Sequence, residues 1–376
     1  MKIVITGAMG LLGWHASSHL HAANCAARFK SLAEPYDVAR LDHATFADQH
    51  QLKSALHNAD VVLHFAGVNR APDDEVEQAN PAIARALVLA CQAAGVTPHI
   101  VYANSTHAAS ATPYGRSKRI AGEILSAFTP RYTNLVLPHI FGECARPNYN
   151  NVTATLIDQV IAGREPTINP DGKVALLHAG IAAQAALDAF TQKQYGVITP
   201  PPRPTAVPDL LAQLQSFHMD YTANIFPDFH DAFQVQLFNS YRAALYPSGF
   251  PQPLTLNEDQ RGTLFEAAKG GGGGQCFLSW TKPGVTRGNH FHLHKVERFL
   301  VLQGKAMIRI RRVFADDVWE YPVSGDQPAA VDMPTLHTHS IENTGSNPLL
   351  TLFWTNDVFD PNAPDTYFDP VLKAKQ

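Results

Sequence analysis

The sequence predicts an α/β protein in two parts: a doubly wound parallel sheet at the amino-terminal end, then an all-β jelly-roll barrel. Three observations carry this. Up to about residue 140, short apolar runs alternate with Ala/Leu-rich stretches of helical spacing. Beyond about residue 252, short strand-like runs are separated by turns. Between them lies "YPSGFPQP", 246–253, a turn-rich stretch that marks a boundary. A chain of 376 residues is long enough for two cores.

In chain order, "KIVITG", "DVVLHFAG", "HIVYANS" and "NLVLPHIFG" are continuous apolar runs ending in Gly or polar residues, as parallel strands buried on both faces are. The stretches "WHASSHLHAA", "NPAIARALVLACQAAG" and "YGRSKRIAGEILSAF" between them read as helices. Residues 145–245 are irregular and proline-rich, which fits a small substrate lobe, so the first domain is expected over 1–245. The second is expected over 252–376, with strands at "GQCFLSW", "ERFLVLQG", "KAMIRIRRVF", "VWEYPVSG" and "PLLTLFWTN". The run Gly270–Gly274 reads as a mobile surface loop.

Composition excludes several classes. A formal charge of −4 supplies no basic field for nucleic acid or an anionic membrane. No run approaches the roughly 18–20 apolar residues of a membrane span, and "MKIVIT" enters a strand pattern with no leader-like segment, so a cytoplasmic protein is expected. Cys25, Cys91, Cys144 and Cys276 form no C-x-x-C pair, which argues against disulfides and thiolate zinc.

Gly7, Gly10 and Gly13 form G-x-x-G-x-x-G directly after a strand and at a helix start. Such glycines permit a tight turn and close backbone approach to a pyrophosphate at the positive end of the helix. Further on, Tyr114 and Lys118 are spaced i, i+4 on a helix, with Ser105 at a strand end nine residues before Tyr114. A nearby ammonium favours a phenolate, so Lys118 is expected to lower the Tyr114 pKa and fit it for proton transfer to a ketone oxygen held by Ser105. In register with the glycine turn and "HFAGVNR", these residues resemble the extended short-chain dehydrogenase/reductase family, with its Rossmann-like fold and nucleotide-sugar substrates. The resemblance implies Ser105, Tyr114 and Lys118 as catalytic residues. It implies cofactor contacts at Gly7, Gly10, Leu11, Gly13, Ala66, Gly67, Tyr114 and Lys118, and places Asp42, at the end of "VARLD", against adenine. The choice of cofactor turns on the end of the second strand, read near "AARFKS". Arg28 and Lys30 there suit a 2′-phosphate and no acid follows, which favours NADP (NADPH) over NAD.

From Gly284 the spacing runs to His290-x-His292, then Glu297, then Gly304, which resembles the first motif of the cupin barrel family. Residues i and i+2 on a strand share a face, so His290 and His292 converge. A second motif, "GDQPAAVDMPTLHTHSIEN", adds His339 after Pro334. Three imidazoles and a carboxylate suit one divalent ion, with zinc the leading candidate. Leu336 stands where that motif has glycine, so a different turn is expected there. His294 and His337 read as surface or core residues.

The two halves together, with "FGECARPNYNNVTATL", "KPGVTRGNHFH" (Lys282–His292) and "WTNDVFDPNAPDTYF", resemble the bifunctional capsular-polysaccharide enzyme F family. That resemblance implies a UDP-2-acetamido-2,6-dideoxy-hexos-4-ulose as partner. The cupin inverts C3 and the reductase then reduces the C4 ketone, on the route to UDP-N-acetyl-L-fucosamine. Arg146, Asn148 and Asn150 are expected to contact that UDP-linked substrate, or to cap the helix that follows. A homodimer is expected. Two other readings stay open: a nucleotide-sugar reductase or 4-epimerase with a purely structural or sugar-binding cupin, and a non-catalytic redox sensor.

Overall fold

The computed structural model describes residues 1–260, 262–270 and 273–373. They fall into two compact units: Met1–Thr155 with Ile168–Pro208, and Leu156–Thr167 with Asp209–Gln376.

In the first unit, β1 (Lys2–Thr6), α1 (Leu11–Phe29), β2 (Asp37–Leu41), α2 (His43–Ala47), α3 (Gln49–Leu56), β3 (Val61–His64), α4 (Asp73–Ala94), β4 (His99–Ser105), α5 (Pro113–Phe128), β5 (Tyr132–Leu137) and β6 (His139–Phe141) follow in order. After α6 (Val152–Ile161), which groups with the second unit from Leu156 on, come β7 (Lys173–His178), α7 (Ala179–Thr191), β8 (Gly196–Ile198) and β9 (Arg203–Ala206). The main sheet is six-stranded and parallel, in the order β2-β1-β3-β4-β5-β8. Successive strands lie on opposite sides of β1, so the carboxyl ends of β1 and β3 border the crevice where such sheets bind ligands. Apolar helices cover both faces: Leu12, Ala16, Leu20, Ala183 and Leu187 on one, Leu52, Leu87, Cys91 and Leu125 on the other. Pro138 divides the run "NLVLPHIFG". Lacking an N–H, it ends the ladder of β5, and β6 pairs with β7 in a separate sheet, β6-β7-β9.

The second strand corrects an expectation. "AARFKS" belongs to the end of α1 and the turn after it, and β2 is "DVARL". Arg28 is paired with Glu34 at 2.6 Å there, and Lys30 is the C-cap of α1. Neither cation sits at the end of the second strand.

The second unit contains α8 (Val207–Thr222, all but its first two residues), β10 (Ile225–Phe226), α9 (Ala232–Ala244), β11 (Gln252–Pro253), β12 (Asn257–Asp259), β13 (Gly262–Leu264) and β14 (Lys269–Gly270). The barrel strands follow: β15 (Gln275–Thr281), β16 (Thr286–Phe291), β17 (Glu297–Gln303), β18 (Lys305–Arg312), β19 (Val318–Ser324), β20 (Ala329–Met333), β21 (His337–Asn343), β22 (Leu349–Thr355) and β23 (Tyr367–Phe368). Two five-stranded antiparallel sheets, β11-β20-β17-β22-β15 and β19-β18-β21-β16-β23, give the jelly-roll architecture. The glycine run Gly270–Gly274, read as a mobile loop, lies partly outside the described residues.

The boundary also differs from 246–253. Helices α8 and α9 group with the barrel, because they bury aromatic rings and an ion pair against it. Phe226 stacks on Trp354 with ring centroids 4.4 Å apart. Arg298 on β17 holds Asp332 on β20 in two bonds of 2.6 and 2.8 Å, both side chains fully buried. The Tyr221 hydroxyl of α8 donates to the same carboxylate, and Asn239 of α9 donates to the His294 carbonyl at 2.8 Å.

Candidate active site and metal centre

At the end of β1 the backbone of Gly7 takes φ +69°, and a Cβ there would lie 2.7 Å from the Ala66 nitrogen. A Cβ on Gly13 would collide with the Gly7 carbonyl. Only glycine fits either place, one for the turn and one for the approach of α1 to it. Gly10 is the N-cap of α1 and Leu11 its first residue, with no side chain capping the turn. The first-turn N–H groups are therefore available to an anion.

The segment after β3 is fixed by polar contacts that no spacing rule reveals. The Ala66 N–H donates to Thr6 Oγ1 at 3.2 Å, and that hydroxyl bonds His64 Nδ1 at 2.8 Å. Buried Asn80 on α4 accepts from the Val68 N–H at 3.0 Å and donates to the Val68 carbonyl and to Ser117 Oγ, both at 2.9 Å. Asn80 thus ties the Ala66–Gly67 segment to α5, next to Lys118. The sequence showed only a helical "NPAIARALVLACQAAG", so this role was missed.

Ser105 ends β4, and Tyr114 lies in the first turn of α5, whose N-cap Thr112 accepts from the Gly115 N–H at 3.1 Å. Lys118 is buried: its ammonium donates to the Ala103 carbonyl at 2.6 Å and lies 4.2 Å from the Tyr102 ring centre. Burial lowers its pKa to about 7. Burial raises that of Tyr114, and a hydrogen bond with Ser105 offsets part of the rise. The expected lowering by Lys118 is absent, because the ammonium is turned towards Ala103 and Tyr102. A Cβ on Gly67 would lie 3.9 Å from Lys118 Nζ, so Gly67 and Lys118 share one corner of the site.

Asp42 is the N-cap of α2 and its carboxylate accepts from the Thr45 N–H at 2.8 Å. Arg40, two residues before it on β2, has Nη2 at 3.9 Å from Met9 Sδ in the glycine turn. Arg146, Asn148 and Asn150 are exposed in the loop before α6. The side chain that accepts from that helix's first turn is Asn151, from the Ala154 N–H at 3.0 Å. Asn148 and Asn150 take left-handed backbones instead (φ 58° and 50°). They anchor the loop to residues just past Gly67: Arg70 donates to the Asn148 carbonyl at 2.7 Å, and the Asn150 amide donates to the Asn69 carbonyl at 3.0 Å.

His15, Glu143 and His178 also converge, all buried, with ligand atoms within 4.8 Å of one another. His178 Nδ1 accepts from the Gly180 N–H at 3.2 Å, which leaves the proton on Nε2, 2.9 Å from the Glu143 carboxylate. A metal at Nε2 would need the opposite tautomer, so this cluster fits a hydrogen-bonded link between α1, the loop after β6 and α7. Burial outweighs Glu143 and lowers the His15 pKa to about 3.

In the barrel, His290, His292, Glu297 and His339 bring one ligand atom each within 4.8 Å of the others. His290 and His339 are register partners on β16 and β21, and Glu297 opens β17. His292 and His339 lie with Nε2 3.1 and 3.3 Å from Glu297 Oε2. Backbone carbonyls fix the tautomers: His292 Nδ1 is 2.5 Å from the Asp365 carbonyl and His339 Nδ1 is 3.2 Å from that of His337. Both Nδ1 atoms donate, so each Nε2 meets the carboxylate either as a lone pair, with a bound cation between them, or as the N–H of an imidazolium; in both cases positive charge belongs beside Glu297. Burial would raise the Glu297 pKa, but His292 and His339 hold it well below the usual carboxylate range. The donor set fits a divalent ion.

Asp365, unremarked in the sequence, organises the loop between His292 and Glu297. Its buried carboxylate accepts from the N–H groups of Leu293, His294 and Lys295 at 2.9, 3.1 and 2.9 Å. His294 is exposed, and His337 is buried in a stack with Trp319 and Tyr246; neither belongs to the ligand group. At Leu336, where the motif has glycine, the backbone takes a left-handed φ of 60°, and its N–H donates to the His292 carbonyl at 2.8 Å.

Fold and sequence define an NAD(P)-dependent oxidoreductase of the nucleotide-sugar reductase/epimerase type. Residues 3–199 match the NAD dependent epimerase/dehydratase family, and residues 257–367 match the polysaccharide biosynthesis C-terminal domain. The chain is 28% identical to the UDP-2-acetamido-2,6-beta-L-arabino-hexul-4-ose reductase of Pseudomonas aeruginosa, over 98% of each chain. It is similar to the capsular polysaccharide assembling protein CapF from Staphylococcus aureus (TM-score 0.59, 30% identity, 99% of this chain and 100% of that one). A structure of CapF with the inhibitor 3-isopropenyl-tropolone gives a TM-score of 0.54 at 30% identity, with the same coverage. The chain belongs to this two-part CapF family, within the NAD dependent epimerase/dehydratases. No helix among the described residues is long and apolar enough to cross a membrane.

Proposed function

We propose that the chain inverts C3 of a UDP-2-acetamido-2,6-dideoxy-4-hexulose in its barrel and then reduces the C4 ketone in its parallel-sheet unit. The relative named as a UDP-2-acetamido-2,6-beta-L-arabino-hexul-4-ose reductase supports the substrate class. The observation that carries the barrel half is the pair of tautomer-fixed Nε2 atoms turned on Glu297.

A ketone at C4 acidifies the proton at C3, and reduction removes that acidity, so inversion has to come first. His290, His292, Glu297 and His339 would hold a divalent ion, zinc by donor type, which supplies positive charge favouring loss of that proton. Tropolone carries two adjacent oxygens suited to chelation, and CapF takes a tropolone inhibitor, which agrees with a metal centre.

In the reductase unit, the turn at Gly7, Gly10 and Gly13 and the start of α1 would receive the cofactor's pyrophosphate, with Ala66 and Gly67 along it. The reduced nicotinamide supplies the hydride. Tyr114 gives its proton to the ketone oxygen as Ser105 holds that oxygen, and Lys118 keeps a positive charge on the cofactor side. Arg40, beside Met9 of the turn, is the cation that favours NADPH, since the Asp42 carboxylate is already engaged with Thr45. The product is the L-talose-configured sugar on the route to UDP-N-acetyl-L-fucosamine for surface polysaccharide. NMR of the product made from a UDP-4-keto sugar and NADPH tests this. Inversion at C3 together with reduction at C4 is expected, and reduction with C3 retained would contradict it.

A further inference from the structure

We infer that Arg287 forms a diphosphate-binding subsite in the barrel, on the face that carries the metal ligands. By simple alternation along β16, Arg287 and His290, three residues apart, would point to opposite faces. The register shifts between Gly288 and His290, where the left-handed Asn289 (φ 59°) is the extra residue of a bulge. Arg287 pairs with Ile341 and His290 with His339, and Ile341 and His339 are two apart on β21. Arg287 therefore shares a face with His290 and His339, offset by two residues, roughly 7 Å along the strand. Ile308, Ile310 and Ile341 on that face are buried, whereas Arg287 is exposed where the face opens to solvent.

Its guanidinium is oriented but not neutralised. Nε donates to Thr281 Oγ1 at 2.9 Å and Nη2 approaches the Trp280 carbonyl at 3.4 Å. Two other arginines of this sheet face carboxylates: Arg309 pairs with Glu320 and Glu342, and Arg311 with Asp369. Among the described residues no carboxylate pairs with Arg287. A planar cation fixed along one edge, with its remaining N–H groups turned outward, suits the paired oxygens of a phosphate. At that offset from the metal ligands, the occupant is the diphosphate of the nucleotide-linked sugar whose ring lies at His290 and His339. This assignment of the occupant rests on the proposed C3 inversion; the anion site itself does not.

The test uses the full-length, metal-loaded protein. Uridine diphosphate titrated by calorimetry should bind at two sites per chain in the wild type, and at one in Arg287→Ala and Arg287→Gln. Equal stoichiometry and affinity in wild type and both variants would overturn the proposal. For C3 proton exchange, both variants should raise KM about 10- to 100-fold, as for a lost charge-assisted contact, with kcat within a few-fold and metal content unchanged. Arg287→Lys should fall between, because it keeps the charge and loses the fork. An unchanged KM for exchange would remove the diphosphate as occupant. Absence of exchange in the wild type, with the second diphosphate site still lost in the variants, would refute C3 inversion and leave the anion site standing.

Discussion

Replacing Asp365 by Ala should cost both stability and metal affinity, because one side chain holds three backbone donors between two of the ligands. The bonds from Leu293, His294 and Lys295 run at 2.9, 3.1 and 2.9 Å to a carboxylate only 6% exposed. A hydrogen bond to a charged partner contributes roughly 1.5–3 kcal/mol, which bounds the trio at about 4–9 kcal/mol. His294 is exposed, so water replaces part of that loss, and about 3–5 kcal/mol of destabilisation is expected for the metal-free protein. The same loop carries the approach to Glu297, and the Asp365 carbonyl orients His292. Loosening such supporting contacts typically weakens metal binding about 10- to 100-fold. Urea unfolding of the metal-free protein gives the first quantity, and competition with a chromophoric zinc chelator gives the second. Asp365→Asn, which keeps one acceptor oxygen, should fall between. An Ala variant with wild-type unfolding and metal affinity within twofold would refute the reasoning.

Acid should destabilise the first unit before it reaches the carboxylates. Burial lowers the pKa of His15, and of His64 with help from Lys118, to about 3 from an ordinary 6.5. The unfolded chain then takes up protons first as pH falls, so stability is full above pH 6.5 and is lost towards pH 3. At pH 5 this amounts to roughly 2 kcal/mol for each histidine. Urea unfolding at pH 7 and pH 5 should show it, His15→Gln should remove only the His15 share, since His99 is also lowered, to about 4, and a flat profile would contradict the burial argument. At Leu336, glycine relieves a left-handed backbone by about 1–2 kcal/mol but removes a side chain only 1% exposed, at a cost of about 2–5 kcal/mol. Leu336→Gly should therefore lower stability by roughly 1–3 kcal/mol in urea unfolding, and a stabilised variant would mean that strain outweighs packing.

What the sequence revealed was local and periodic. The turn Gly7-x-x-Gly10-x-x-Gly13, the i, i+4 pair Tyr114 and Lys118, and His290-x-His292 with Glu297 lie at spacings that fix their neighbourhood, and His339 follows from the second such run. The strand "DVARL" escaped because it is a sheet edge, mixed in polarity and only partly buried, while "AARFKS" simply continues a helix. Helices α8 and α9 were assigned to the wrong side because Leu210, Leu214, Phe217 and Tyr221 show an apolar stripe but not what it packs on. Asn80 and Asp365 act through backbone contacts made across the fold, so no spacing marks them. The direction in which Lys118 points is likewise a tertiary fact; spacing puts it on the Tyr114 face but cannot turn it towards Ala103.

The two proposed sites separate most directly in heavy water, with proton exchange at C3 followed by NMR and nicotinamide absorbance followed alongside. His290→Ala should lose C3 exchange yet still reduce a 4-keto sugar supplied already inverted, since Ser105, Tyr114 and Lys118 are untouched. Tyr114→Phe should exchange the C3 proton without cofactor and accumulate the inverted ketone, with reduction lowered about 100- to 10,000-fold. Loss of both activities in each folded variant, or reduction by Tyr114→Phe within a few-fold of wild type, would contradict a barrel that inverts and a tyrosine that protonates.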